Sequence, residues 1–454
     1  MSSAAPTAAA AAVSATVRAR TGPIRRVIAG SLATGAVSAA ILTLVVVGGT
    51  PEPFITGAAL LGFALGWVLL AVLSARLTDQ PQSWAWVPAA GLAATGLGLL
   101  AFNPDDRAIT LSGWGWPPLL LALAVWTGVR LRRSLAAGGG RWLLYPVVAV
   151  MAAAAVGGMV ETVSLAADQR HHAMPGRSHD AGGYRLHLTC TGSGSPTVVL
   201  QSGLGEMSAN WARIVPAVSS TTRVCAYDRA GQGWSDDAPQ LQDGVQAAAD
   251  LHTLLGRAGE GGPYMLVGHS IGGDHAMTYA ARHPEQVAGM VLLDATNPYR
   301  SPGTGSAHAG PPSEVALLPS LARLGLGRLL PASFWSALPE PAAGQVQAFA
   351  ASPRGWRNIR DETATMPALL DQARALTTLG STPLVVLTAA GHDSDPIWLA
   401  AQDRMAALSS NSSHRVSDAT HAELLDQEQG AEQSARAIDD VIRATRTGSP
   451  LTAA

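Results

Sequence analysis

Apolar positions are distributed unevenly along the chain, and the pattern changes near residue 165. The N-terminal third contains long stretches without a charged side chain. Each of the five has at least 19 residues, at 27–51, 53–75, 80–104, 108–129 and 142–160. A helix of that length crosses a hydrocarbon core of about 30 Å. We therefore predict a transmembrane region over residues 27–160 with about five helices, forming an all-α bundle.

A different pattern begins at residue 177, where short apolar runs alternate with segments of helical spacing. Strand-like runs occur at 184–190, 197–201, 222–227, 264–267, 287–293, 384–388 and 414–417. Helical spacing is found between them, for example at 245–255, and again near 431–445. Strands that alternate with helices indicate a mostly parallel sheet with helices on both faces.

The remaining segments are assigned by composition. Residues 1–26 are rich in alanine and serine and are predicted to be a disordered cytoplasmic tail. Residues 161–176, which contain Pro175 and Gly176, are predicted to be a linker. The compact C-terminal domain is then expected over 177–446, with a disordered tail at 447–454.

Arginines predict the orientation of the membrane region. They flank the first span, follow the second and separate the fourth from the fifth, at Arg18, Arg20, Arg25, Arg26, Arg76, Arg130, Arg132, Arg133 and Arg141. Cytoplasmic loops carry an excess of basic residues. The N-terminus is therefore predicted to be cytoplasmic, and five crossings place everything after about residue 165 outside the cytoplasm.

Charge and composition exclude several classes of function. The net charge is −2, and no basic cluster is interleaved with aromatic residues, which argues against a nucleic-acid partner. All 30 basic residues are arginine, so Schiff-base and P-loop chemistry, which need lysine, are excluded. The two cysteines, Cys190 and Cys225, are too few for a zinc or iron–sulfur framework. They are either small buried residues or a disulfide.

The most specific motif is Gly268-His269-Ser270-Ile271-Gly272. It follows the apolar run at 264–267 and precedes a segment of helical character. A serine between a strand and a helix, within a Gly-x-Ser-x-Gly pattern, is typical of a nucleophile elbow. We predict that Ser270 is a nucleophile.

With this motif and three others, the region 177–446 resembles the α/β-hydrolase superfamily, in its serine esterase and lipase-like branch. The other motifs follow successive predicted strands: Gly203-Leu204-Gly205, Tyr227-Asp228-Arg229-Ala230-Gly231 and Leu293-Asp294-Ala295. The resemblance implies an α/β-hydrolase fold. It also implies a helical cap at about 298–375, and it places Cys190 and Cys225 on neighbouring strands, which favours the disulfide.

The resemblance further implies a catalytic triad in the order Ser, acid, His. His421 is the histidine beyond the last predicted strand and is expected to be the base. Asp393 is our choice for the acid, and Asp395 and Asp294 are the alternatives. Asp228 and Arg229 are expected to brace their loop by an internal ion pair.

In the family arrangement, the backbone N–H groups of Leu204 and Ile271 form the oxyanion hole. Many relatives have His-Gly in this loop, whereas this chain has Ser202-Gly203. Since the donor is a backbone group, the departure affects the orientation of the loop more than its chemistry. No metal or organic cofactor is expected.

These features predict a membrane-anchored serine hydrolase that cleaves carboxylic esters of small molecules or lipids through an acyl-enzyme on Ser270. An acyltransferase with the same triad is one alternative, because an alcohol can replace water as the acceptor. A non-catalytic ligand-binding or sensing module is another. The sequence does not indicate the oligomeric state.

Overall fold

A computed structural model describes residues 24–135, 140–299, 313–392 and 394–451. The chain divides into two compact units, Met1–Thr162 and Val163–Ala454. Each unit has its own apolar core, and the predicted change of pattern near residue 165 coincides with the boundary between them.

The first unit is helical. Its helices are α1 (Ile24–Ile41, continued as a π-helix to Val46), α2 (Glu52–Leu77), α3 (Trp86–Phe102), α4 (Asp106–Ser112) and α5 (Trp116–Ser134). Helix α6 (Tyr145–His171) begins in this unit, and its residues from Val163 onward belong to the second. Among the described residues, four helical segments are long and apolar enough to cross a membrane. The pair α4 and α5 would make a fifth, with a bend of 45° between them. Gly113 and Gly115 lie at this bend, where glycine weakens helical structure.

Three predicted boundaries need correction. Helix α6 continues to His171, so most of the predicted linker 161–176 is helical. The first strong helix breaker is Pro175, and Asp168 on the last turns of α6 pairs with Arg328 at 2.7 Å. At the other end, α1 begins at Ile24, inside the predicted tail 1–26, whose residues 1–23 lie outside the described residues.

The predicted tail at 447–454 also differs from the structure. Thr447 is the last residue of the C-terminal helix. The backbone N–H of Leu451 donates to the Asn411 side chain at 2.8 Å. This contact anchors the segment after the helix against the loop that precedes the last strand.

The second unit is built on one eight-stranded sheet, with strand order β1-β2-β4-β3-β5-β6-β7-β8. Strand β2 runs antiparallel to both of its neighbours, and the pairs from β4 to β8 are parallel. The strands are Arg177–Asp180, Arg185–Thr191, Thr197–Gln201, Val224–Tyr227, Tyr264–His269, Val287–Leu293, Leu384–Thr388 and Ser412–Val416. Strand β1 was not predicted from the sequence, because it is a short polar edge strand without an apolar pattern.

Helices cover both faces of this sheet. They are α7 (Ile214–Ser219), α8 (Gly244–Ala258), α9 (Ile271–Arg282), α10 (Ser313–Ala316), α11 (Leu318–Arg323), α12 (Ala342–Ala351), α13 (Pro353–Ala373), α14 (Pro396–Ala406), α15 (Glu423–Asp426) and α16 (Glu428–Thr447). Helices α10 to α13 lie between β6 and β7, in the segment 298–375 predicted as a cap. Residues 300–312 of that segment lie outside the described residues.

The alternation of side chains along each central strand produces two cores. In β3, Val199 packs into the core on one face, whereas Val198 and Leu200 pack into the core on the other. All five residues of β3 are buried, as expected for a strand covered on both faces. The carboxyl ends of the parallel strands therefore emerge together at one edge of a rigid, two-sided core.

Cys190 on β2 and Cys225 on β4 lie directly opposite each other in the antiparallel register. They form a disulfide that closes a sequence separation of 35 residues. The sequence left two interpretations open, a disulfide or two small buried residues, and the structure confirms the disulfide.

We predict that replacing both cysteines by alanine lowers the free energy of unfolding by about 2–4 kcal/mol, because the cross-link restricts the unfolded chain. Chemical denaturation of wild type and of the double variant measures this difference. Mass spectrometry of protein alkylated in intact cells, before any reduction, should find neither thiol labelled. Two labelled thiols would contradict a disulfide in the cell.

Candidate active site

Ser270 lies between β5 and α9 in a backbone conformation that serine rarely adopts, with φ 55° and ψ −128°. Its two flanking glycines explain why the turn is so tight. A Cβ atom on Gly268 would lie 2.3 Å from the carbonyl oxygen of Gly272, and one on Gly272 would lie 2.1 Å from that of Gln201. Only glycine fits at both positions, so the Gly-x-Ser-x-Gly pattern is a packing requirement of this turn.

Backbone hydrogen bonds connect the elbow to the end of the neighbouring strand. The N–H of Ser270 donates to the carbonyl oxygen of Leu293 at 3.1 Å, and the carbonyl of Ser270 accepts from Thr296 at 3.2 Å. These bonds hold the serine beside the loop that follows β6. The first residue of that loop is Asp294.

Asp294 is fully buried and, like Ser270, has a positive φ, at 43°. Its Oδ1 accepts hydrogen bonds from the Ala389 backbone N–H at 3.2 Å and from the Trp398 indole at 3.1 Å. Its Oδ2 contacts the Nδ1 atoms of His421 at 2.6 Å and His392 at 2.7 Å. Burial alone would raise the pKa of Asp294, but the hydrogen bonds from His421 and the Ala389 N–H bring the pKa below its ordinary value.

His421 follows β8, and its imidazole is 39% exposed. Its ring packs against His269, the residue before the serine, with 4.4 Å between the ring centroids. The carbonyl oxygen of His421 also contacts Nε2 of His269 at 3.0 Å. The structure thus places His421 against Asp294 and against His269, the residue next to Ser270, at the carboxyl edge of the sheet.

The carboxylate in contact with His421 is Asp294, the third of our three candidates. Asp393, our first choice, lies outside the described residues. Asp395 caps α14, where it accepts hydrogen bonds from the N–H groups of Ile397 at 2.8 Å and Trp398 at 3.3 Å. Among the described residues, Asp294 occupies Nδ1 of His421, so it takes the place of Asp393 in our hypothesis of a triad.

The loop predicted to form the oxyanion hole lies against the serine. A Cβ atom on Gly203 would be 3.0 Å from Cβ of Ser270, which shows how closely this loop approaches the nucleophile. Ile271 is the first residue of α9, so its N–H has no acceptor within the helix. The role of the Leu204 and Ile271 N–H groups stays a prediction.

A partly buried carboxylate, Glu206, contacts the loop predicted to form the oxyanion hole. Glu206 accepts a hydrogen bond from the Gly203 N–H at 2.5 Å and contacts Nδ1 of His269 at 2.7 Å. For His269, burial lowers the pKa, but the negative charge of Glu206 outweighs it and the pKa is raised. For Glu206, burial raises the pKa, and His269 reverses this so that the pKa is lowered. The raised pKa of His269 and the lowered pKa of Glu206 both favour the charged forms, a protonated imidazole beside an ionised carboxylate.

The cap contributes a second carboxylate to the same loop. Glu362 on α13 pairs with Arg229 at 2.6 Å, and it also accepts from the Gly205 N–H at 3.4 Å. Arg229 in turn donates to the carbonyl oxygens of Ser202 at 2.7 Å and Gly203 at 3.3 Å. A residue of the cap therefore helps to hold the backbone beside the nucleophile.

This network corrects the ion pair expected between Asp228 and Arg229. Asp228 pairs instead with His187 on β2 at 2.9 Å, and Arg229 pairs with Glu362. Adjacent residues on an extended loop point in different directions, so each finds a partner on another element. Glu206, Glu362 and His392 were not singled out from the sequence, because none belongs to a short motif.

Comparisons with known proteins agree with this fold. A family model described as the α/β hydrolase fold matches residues 196–327. An uncharacterised protein of Schizosaccharomyces pombe is 37% identical over 141 residues, which are 24% of this chain and 26% of that protein. A 2-hydroxymuconate semialdehyde hydrolase from a Pseudomonas strain is 35% identical over 120 residues, 26% of this chain and 42% of that enzyme.

Among solved structures, an enol-lactonase from Burkholderia xenovorans is similar with a TM-score of 0.45 and 20% identity, over 59% of this chain and 100% of that one. The chain spans less than half the length of the two curated relatives above. The C-terminal unit has the α/β-hydrolase fold, and the matching family model covers residues 196–327 of it. As predicted, it follows a bundle of helices that are long and apolar enough to span a membrane.

Proposed function

We propose that this protein is a membrane-anchored serine hydrolase that cleaves carboxylic esters, including esters of lipids, through an acyl-enzyme on Ser270. The observation that carries the proposal is the 2.6 Å contact between Asp294 and Nδ1 of His421, beside a serine in a strained elbow. A serine hydroxyl becomes an effective nucleophile when a histidine accepts its proton and an acid fixes the tautomer of that histidine.

Each residue then has a defined role. Asp294 accepts the Nδ1 proton of His421 in a hydrogen bond, which leaves the Nε2 lone pair free to act as the base. Ser270 attacks the ester carbonyl while its proton moves to Nε2. The same proton passes to the departing alcohol, and a second cycle with water as nucleophile releases the acid.

Negative charge develops on the carbonyl oxygen during both attacks. We propose that the N–H groups of Leu204 and Ile271 stabilise this charge, since each such donor contributes about 3–4 kcal/mol in the transition state. Glu206 and Glu362 support the proposal, because both accept hydrogen bonds from backbone groups of the same loop.

We further propose that the hydrolase unit works outside the cytoplasm. The arginine distribution supports this orientation by the positive-inside rule. The disulfide between Cys190 and Cys225 supports it independently, because disulfides persist in oxidising compartments.

Full-length protein in detergent micelles should hydrolyse p-nitrophenyl esters, and an acyl series from two to sixteen carbons tests the substrate class. Ser270→Ala should reduce the rate to the background level. If wild type hydrolysed every ester of the series no faster than Ser270→Ala, the result would contradict the proposal and favour a non-catalytic binding module.

A competing primary alcohol tests the acceptor of the acyl group. An acyltransferase would yield the new ester in preference to the free acid.

A paired substitution tests the acid. Asp294→Asn should lower kcat for the best ester roughly 10³–10⁴-fold, because an amide no longer favours the productive tautomer of His421. Asp393→Asn is the matched control and should keep most of the wild-type kcat. The opposite ranking would return the role to Asp393. Equal melting temperatures for the two variants would show that the difference is one of chemistry and not of folding.

A further inference from the structure

His392 has no part in the proposed mechanism, yet it lies at the centre of the site. Its Nδ1 atom is 2.7 Å from Oδ2 of Asp294, the same oxygen that His421 contacts at 2.6 Å. The three ligand atoms, one carboxylate oxygen and two imidazole nitrogens, lie within 4.8 Å of one another.

The surroundings of Asp294 direct Oδ2 to the two imidazoles. The other oxygen, Oδ1, already accepts from the Ala389 N–H and the Trp398 indole. Neighbouring rings also restrain the imidazoles. His392 packs on Trp398 and His421 packs on His269, each with 4.4 Å between ring centroids.

We propose that Asp294, His392 and His421 form a binding site for a divalent transition-metal ion, and that Zn²⁺ bound there inhibits the enzyme. One carboxylate and two imidazoles are a ligand set that zinc accepts, with water in the fourth position. Tetrahedral ligands at zinc bond lengths of about 2.0–2.1 Å lie about 3.3 Å apart. The two Nδ1 atoms, now 2.6 and 2.7 Å from Oδ2, would therefore move away from it by roughly 0.6–0.7 Å.

Access to this site is open. The imidazoles of His392 and His421 are 40% and 39% exposed, whereas Asp294 is fully buried. An ion from solvent therefore meets the two histidines at the surface and the carboxylate beneath them. Cys190 and Cys225 form a disulfide, so neither offers a competing thiolate.

Inhibition follows from the tautomer of His421. In the metal-free site, Nδ1 carries the proton and Nε2 is the base. A metal on Nδ1 requires the lone pair of that nitrogen, so the single proton of the neutral ring must sit on Nε2. The Nδ1 proton leaves to solvent and a proton from solvent binds Nε2, so the ring stays neutral and the number of its protons does not change. With Nε2 protonated, the ring can no longer accept the proton of Ser270.

Binding is tested without reference to activity. Co²⁺ is titrated into full-length Ser270→Ala protein that carries no polyhistidine tag, and the visible absorption of low-coordinate Co²⁺ is recorded. His392→Gln in the same background should abolish this absorption, because glutamine still donates a hydrogen bond to Asp294 but binds metal poorly. His252→Gln is the matched control and should retain it, since the His252 ring pairs with His283 at a separate place.

Inhibition rests on the proposed function and is measured separately, as ester turnover relative to the metal-free rate of each variant. Zn²⁺ should inhibit wild type reversibly, with recovery on addition of EDTA. The half-inhibitory concentration should rise at least about tenfold in His392→Gln. The proposed site would be overturned if Co²⁺ gave no visible absorption. It would also be overturned if His392→Gln left either the Co²⁺ absorption or the Zn²⁺ inhibition unchanged. Absence of all ester turnover would refute the proposed function and leave the Co²⁺ result to decide the metal site.

Discussion

The close approach of backbones between β5 and α9 is the constraint on which the site depends. Gly268 and Gly272 leave no space for a side chain against the carbonyl oxygens that face them, and the residue between them must therefore turn through an unfavourable conformation. Such a backbone costs on the order of 1–3 kcal/mol and persists only when the surrounding structure enforces it. Here the enforcement comes from two parallel strands, β5 and β6, in which every residue except Ala288 is buried. The ends of these strands hold Ser270 and Asp294 side by side.

Asp294 links this strained turn to the rest of the carboxyl edge. Its two oxygens contact groups that follow β7 and β8, so one buried carboxylate joins three successive strand ends. Burial by itself would favour the neutral acid, and the hydrogen-bond donors around it reverse that preference. The same principle operates around Glu206, which connects the loop at Gly203 to His269 and whose pKa is lowered. Glu362 connects that loop to the cap, but there burial outweighs the nearby Arg229 and the pKa stays raised. The cap is thereby part of the site's support and not only a cover.

The sequence predicted most of this architecture, because its signals are local. The bounds of β3, β6 and β7 agree with the predicted strands to the residue, since each is a short apolar run between polar turns. The elbow serine and His421 followed from motif and chain order. The acid was harder to place, because three aspartates follow strands at the same edge and only the three-dimensional contact with His421 separates Asp294 from Asp395. The extension of α6 to His171 was not predicted, because Pro175 and Gly176 indicate a linker although neither stops a helix four residues earlier.

If Ser270 is an activated nucleophile, a covalent serine-directed inhibitor should label it. Wild-type protein in micelles is treated with a fluorophosphonate, digested, and mapped by mass spectrometry. We expect one phosphonylated peptide, modified at Ser270, and much slower labelling after His421→Ala. Modification at another residue, or labelling that persists in Ser270→Ala at the wild-type rate, would contradict this expectation.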